Sequence, residues 1–295
     1  MLVDTFGRTA TDLRVSLTDR CNLRCTYCMP AEGLPWLPKA ELLTDDEIVR
    51  LVDIAVRLLG VDEVRFTGGE PLVRPGVVDL IARVARLRPR PRVSLTTNGI
   101  GLARLAPGLS TAGLDRVNVS LDTLDEAVFR KLTRRDRFAD VVAGLEAAAA
   151  AGLEPVKLNS VLMRGINDHE APDLLRWCLE RGYELRFIEQ MPLDAQHGWD
   201  RSEMVTAEEI LAALEREFAL TPEGEQARGA APAETWLVDG GPRPGAHLLV
   251  RARGVGSARR VARRRERRGP GRTLADRHAR QEAGGRDRGA WFRAA

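Results

Sequence analysis

Between Asp12 and Phe218, short β-branched runs alternate six times with amphipathic stretches. That alternation confines the chain to an α/β fold on a parallel sheet. Strands are expected at 12–18, 63–67, 92–97, 116–121, 155–162 and 184–189, and helices at 48–59, 77–87, 138–151, 168–181 and 206–218. Thr44-Asp-Asp-Glu47 and Thr206-Ala-Glu-Glu209 read as capping boxes, in which hydroxyl and carboxylate each satisfy one orphan N–H. Ile48, Leu51, Val52, Ala55 and Leu59 share one helical face, and Gly60 stops that helix. The expected architecture is a partial, incomplete TIM-type barrel of about six βα units. Chemistry in such barrels gathers at the C-terminal strand ends, which puts 19–28, 67–71, 96–99, 120–123, Asn159 and 189–192 on one rim.

Charge divides the chain unevenly. The segment 243–295 holds 16 Arg and 4 acidic residues, a net +12, so the first 242 residues carry −9 of the overall +3. An acidic body argues against nucleic-acid binding by the whole chain. The tail alone would attract phosphate backbones weakly and in a salt-sensitive way, without interleaved aromatics for specific recognition. The chain has no run of 18 apolar residues to span a membrane, and its N-terminus lacks a basic start followed by an apolar run. A cytoplasmic location is expected. Composition divides the chain into a barrel at 1–222, a linker at 223–242 with a short strand at 236–239, and an Arg/Gly/Ala-rich segment at 243–295. The last reads either as a disordered tail or as GC-rich DNA translated out of frame.

Three of the four cysteines, Cys21, Cys25 and Cys28, follow the first strand within eight residues. Reducing conditions turn such a cluster toward metal or redox chemistry. Three thiolates can hold three corners of a cubane iron–sulfur cluster and leave one iron open. A zinc site completed from elsewhere is the alternative, although no histidine lies near the loop. Cys178, within an amphipathic helix, reads as a core residue. Gly68-Gly69-Glu70-Pro71 ends the second strand; its glycines would let backbone approach a ligand, and Glu70 could accept from an ammonium group.

Together these two motifs resemble those of the radical S-adenosylmethionine (SAM) enzymes. The segments 14–30, 64–74, 95–99, 117–122 and 186–192 are similar to those of the GTP 3′,8-cyclase family, and the likeness extends over about 4–242. The resemblance implies a [4Fe–4S] cluster on Cys21, Cys25 and Cys28 whose open iron chelates SAM, and reductive cleavage to a 5′-deoxyadenosyl radical. It implies SAM contacts at Tyr27, Gly68, Gly69, Glu70, Ser120 and Met191, and GTP contacts at Arg14, Arg65, Thr96 and Lys157, with Asn98 and Arg186 as weaker candidates. The cations suit a triphosphate on chemical grounds as well. The implied reaction removes the ribose 3′ hydrogen of GTP and closes a bond to guanine carbon 8, the first step of molybdenum cofactor biosynthesis. Implied partners are GTP, a reductant protein and a second copy in a homodimer, with no membrane and no specific nucleic acid.

The sequence departs from the family in one respect. The resemblance implies a second three-cysteine cluster gripping the guanine, yet no cysteine follows Cys178. The similarity stops near Gly240-Gly241-Pro242, where composition changes, which points to a frameshift. In a chain so altered most guanine recognition would be lost, while SAM cleavage could survive. A different single-cluster radical SAM enzyme, acting for instance on a peptide, and an inactive truncated homologue are the competing readings.

Overall fold

The computed structural model describes residues 2–3, 9–192, 199–223, 234–241 and 247–251. Six strands, β1 (Asp12–Ser16), β2 (Glu63–Thr67), β3 (Arg92–Thr97), β4 (Arg116–Ser120), β5 (Lys157–Ser160) and β6 (Glu184–Ile188), lie side by side in chain order and pair in parallel. Between and after them run α1 (Asp45–Leu59), α2 (Val77–Ala85), α3 (Leu102–Thr111), α4 (Glu126–Thr133), α5 (Phe138–Ala150), α6 (Ala171–Arg181) and α7 (Ala207–Leu214). Right-handed crossovers between consecutive parallel strands put the helices on one face, the arrangement of a partial barrel. Both expected capping boxes are present, and Gly60 ends α1 in the left-handed conformation.

Three strands widen the sheet. β7 (Leu220–Pro222), β8 (Glu234–Val238) and β9 (His247–Arg251) extend it in the order β6-β9-β8-β7; β9 is parallel to β6, and the other two pairings are antiparallel. β9 falls where the sequence shows no strand period. The remainder of the expected tail, 252–295, and linker residues 224–233 lie outside the described residues. A short ribbon pairs Leu2–Val3 with Thr9–Ala10. Among the described residues no helix is long and apolar enough to cross a membrane.

The period-two alternation of each strand separates the two faces of the sheet. Val64, Phe66, Val93, Leu95, Val117, Val119, Leu158 and Leu185 are completely buried in the core shared with the helices. Each contributes about 1.5–3 kcal/mol on burial. The other face is polar. Arg14 lies opposite Arg65, Arg65 opposite Ser94 and Ser94 opposite Arg116. Further along, Thr96, Asn118, Lys157 and Glu184 follow one another across β3–β6. The inner wall is therefore suited to a charged ligand, unlike the branched apolar layers that fill an ordinary closed barrel.

Candidate active site

The parallel strands end on one edge, and the expected rim is assembled there. The turn after β2 is fastened to the cysteine loop by backbone bonds: Leu17 N to Thr67 O at 2.9 Å, Gly69 N to Thr18 O at 2.7 Å and Glu70 N to Arg20 O at 2.7 Å. A Cβ on Gly68, whose φ is +147°, would lie 2.4 Å from Thr18 O, and one on Gly69 would lie 2.3 Å from Arg20 O. The two glycines thus admit the backbone of the cysteine loop itself. Glu70 likewise turns inward. Its buried carboxylate accepts from Leu72 N at 2.9 Å, Thr97 Oγ1 at 2.7 Å and Asn98 N at 2.6 Å, binding the ends of β2 and β3. Burial raises its pKa, partly offset by those donors.

Cys21, Cys25 and Cys28 are all free thiols; the first two are half-buried and Cys28 is exposed. A tight turn fixes their spacing, with Cys28 N and Met29 N both donating to Cys25 O. Cys21 Sγ accepts from Leu23 N at 3.4 Å and from Asn98 Nδ2 at 3.8 Å. Asn98 therefore steadies the loop from the end of β3, and its amide also reaches Asn22 at 2.6 Å. Burial raises the pKa of all three thiols. Thiolates in this loop need a cationic group, and coordinated iron supplies one. Among the described residues no three His, Cys, Asp or Glu converge on a single ion. Three free thiols on one loop are the donor type that an iron–sulfur cluster takes.

Tyr27 donates to Asp122 Oδ2 at 2.7 Å, and Asp122 Oδ1 accepts from Val161 N at 2.9 Å. Burial pushes Asp122 up to about 6, opposed by the Tyr27 and Val161 hydrogen bonds. Sequence reasoning gave Asp122 no role, although period two puts it on the face of Ser120. A cavity of about 40 Å³ touches Cys25, Tyr27, Asn98, Ser120 and Asp122, so these residues from three strand ends meet at one place. Met191 lies half-buried beyond the end of β6.

The expected substrate cations stand on the inner wall, and carboxylates hold Arg65 and Lys157 there. Arg65 pairs with Asp12 at 2.7 Å and Glu63 at 3.3 Å, and Lys157 pairs with Glu184. Glu63 also binds Arg116 and lies 3.6 Å from Arg92. Burial opposes ionisation of Glu63, but Arg116 and Arg65 outweigh it and hold its pKa below the usual range. Thr96 Oγ1 accepts from Asn118 Nδ2 at 3.3 Å. Arg116, Glu63 and Asp12 escaped sequence analysis, though each has the strand parity of a residue that did not. Cys178 is fully buried in the core, as expected.

The radical SAM superfamily model matches residues 15–178, from β1 into α6. The chain is 72% identical over 242 residues to a Streptomyces coelicolor protein named GTP 3′,8-cyclase, covering 82% of this chain and 71% of that relative. The chain belongs to the GTP 3′,8-cyclase family of radical SAM enzymes. A Mycobacterium tuberculosis relative, GTP 3′,8-cyclase 2, is 63% identical over 241 residues, covering 82% of this chain and 67% of its own length. Among solved structures, methylornithine synthase superposes with a TM-score of 0.53 at 15% identity, over 70% of this chain and 63% of that one. Streptococcus suis SuiB bound to S-adenosylmethionine does so at 0.53 and 16%, over 70% and 46%. These two likenesses concern the fold, the partial barrel that this radical SAM enzyme shares with them.

Proposed function

We propose that this chain holds one [4Fe–4S] cluster on Cys21, Cys25 and Cys28, binds SAM at the iron left open, and acts on GTP. The observation that carries this reading is a loop of three free thiols braced by Gly69 and Glu70 from the neighbouring strand. When bound, cluster and SAM supply a one-electron cleavage of the sulfonium carbon–sulfur bond and a carbon radical able to abstract hydrogen. The protein's part is placement. Tyr27, Ser120, Met191 and the Gly68-Gly69-Glu70 turn border the cofactor. Arg14, Arg65, Thr96 and Lys157 take the triphosphate. Arg14 and Arg65 lie two residues before the strand ends, about 7 Å deeper than the rim. Phosphates bound there leave the ribose toward the cysteine loop, where its 3′ hydrogen can be taken. The product is (8S)-3′,8-cyclo-7,8-dihydroguanosine 5′-triphosphate, an intermediate in molybdopterin cofactor formation. An external reductant protein, a homodimer and a cytoplasmic setting belong to the same reading.

Anaerobic reconstitution should load about four irons per chain, the content of one cubane, and reduction with SAM should release 5′-deoxyadenosine. Zinc as the sole bound metal, or no deoxyadenosine, overturns the reading. A single-cluster enzyme with another substrate is the second reading, favoured by the absence of cysteine after Cys178. Equilibrium binding decides: GTP should bind, and Lys157→Ala should weaken it about tenfold, the cost of losing one charge-assisted contact. The break in composition at Arg243 carries a separate proposal of a shifted reading frame. Resequencing codons 240–245 tests it, with an alternative frame encoding Cys-x-x-Cys as the supporting result.

A further inference from the structure

Asn159 stands at the level where the proposed nucleotide would carry its sugar, and the fold itself makes little use of its side chain. Leu158 and Ser160 are completely buried on the core side of β5, so Lys157 and Asn159 face the inner wall. In register, Lys157 lies beside Asn118 and Asn159 beside Ser120. Asn159 is therefore about 7 Å nearer the rim than the lysine placed at the triphosphate. Two residues beyond Ser120, Asp122 accepts from Tyr27 of the cysteine loop at 2.7 Å. Asn159 is thus one pleat above the phosphates and one pleat below the loop. Its backbone is fixed there, its carbonyl accepting from Leu121 N at 3.0 Å. The side chain is half-buried, and its Oδ1 is shielded from solvent without a donor among the described residues. The neighbouring asparagines are engaged: Asn118 Nδ2 donates to Thr96 Oγ1 at 3.3 Å, and Asn98 Nδ2 reaches Asn22 at 2.6 Å. A buried acceptor without a donor is costly, and a donor arriving with a ligand relieves that cost.

We infer that Asn159 binds the 2′,3′-diol of the nucleotide's ribose and so makes the site selective for ribonucleotides. The inference rests on the GTP reading of the inner wall. A carboxamide presents an acceptor and a donor side by side, and vicinal hydroxyls present the same pair in return. Phosphate oxygens are acceptors only and cannot satisfy Oδ1. The ribose of the cofactor has the same chemistry as that of the nucleotide, and depth decides between them: Asn159 lies below the level of Asp122 and the loop. With the phosphates held at one end and the diol at β5, the sugar is fixed at two points. The hydrogen on its 3′ carbon then keeps one orientation.

The test measures equilibrium binding of GTP, 2′-deoxy-GTP and 3′-deoxy-GTP to the iron-free full chain. Wild type should bind GTP about tenfold more tightly than the deoxy analogues, because a missing hydroxyl leaves a polar group of Asn159 unpaired. Asn159→Leu has a similar volume and no polar group. In it the three nucleotides should bind alike, with GTP falling to the level of the analogues. Thermal unfolding reports whether the variant folds, and Asn159→Ala reads the same preference if the leucine does not fit. Lys157→Ala gives the contrast: a lost phosphate contact weakens all three nucleotides equally and keeps their order. Loss of the preference against either analogue supports the inference. A preference that survives both substitutions, or that wild type lacks, overturns it. If the preference survives while SAM binding to the reconstituted variant falls about tenfold, the cost of one unpaired polar group, the carboxamide serves the cofactor's ribose and the inference fails. GTP binding that responds to Lys157→Ala and ignores Asn159 removes the inference and leaves the substrate reading standing. No GTP binding by wild type removes both.

Discussion

Gly69 is the residue on which the cysteine loop turns. An added methyl would lie 2.3 Å from Arg20 O and 2.5 Å from Asp19 O, both backbone atoms that cannot swing away. Gly69→Ala should therefore displace the loop, at an overpacking cost of about 1–3 kcal/mol. Iron content after reconstitution should drop below half the wild-type value, and the unfolding midpoint should fall. Glu63 gives a pH-dependent counterpart on the inner wall. Its folded pKa is lowered because Arg116 and Arg65 outweigh the burial penalty. Its stabilisation is present above the unfolded value and lost as pH falls through the folded one. Glu63→Gln should thus be less stable at pH 7 by about 1.5–3 kcal/mol, the worth of hydrogen bonds to a charged group. The deficit should vanish below the ordinary carboxylate range. Thermal unfolding of both proteins from pH 3 to pH 8 checks the convergence.

At the scale of elements, local chemistry explains which parts were legible in sequence. The capping boxes at Thr44 and Thr206 satisfy helix ends within four residues, and both helices begin where those motifs say. The β-branched runs place all six parallel strands, because one buried face enforces alternation. Two helices, α3 and α4, escaped. In α3 the Pro107-Gly108 pair imitates a break, yet the helix runs through it, and packing against α5 outweighs one missing hydrogen bond. Pro107→Ala should restore that bond and stabilise the protein by about 1 kcal/mol, readable as a raised denaturant midpoint. α4 has only 8 residues, too few for a clear period. β9 was illegible for another reason: parallel pairing with β6 is a long-range property that no local pattern announces. The site divides in the same way. The cysteines and glycines announce themselves by spacing, whereas Asp122, Glu63 and Arg116 acquire their roles only when neighbouring strands come into register.

At the scale of the molecule, the barrel is held together from outside. Its apolar contacts lie between sheet and helices, and the inner wall opposes Arg14, Arg65, Arg116 and Lys157 with Asp12, Glu63 and Glu184. On a wall of this kind the fixed cations are balanced by carboxylates that share the space with them. A polyanion that enters replaces those counter-charges with its own, so occupancy and folding become thermodynamically linked. At a nucleotide concentration a hundred times the dissociation constant the gain would be about 2.7 kcal/mol. Heat tolerance should then climb with each added phosphate, from guanosine to the monophosphate to the triphosphate, in protein that has never seen iron.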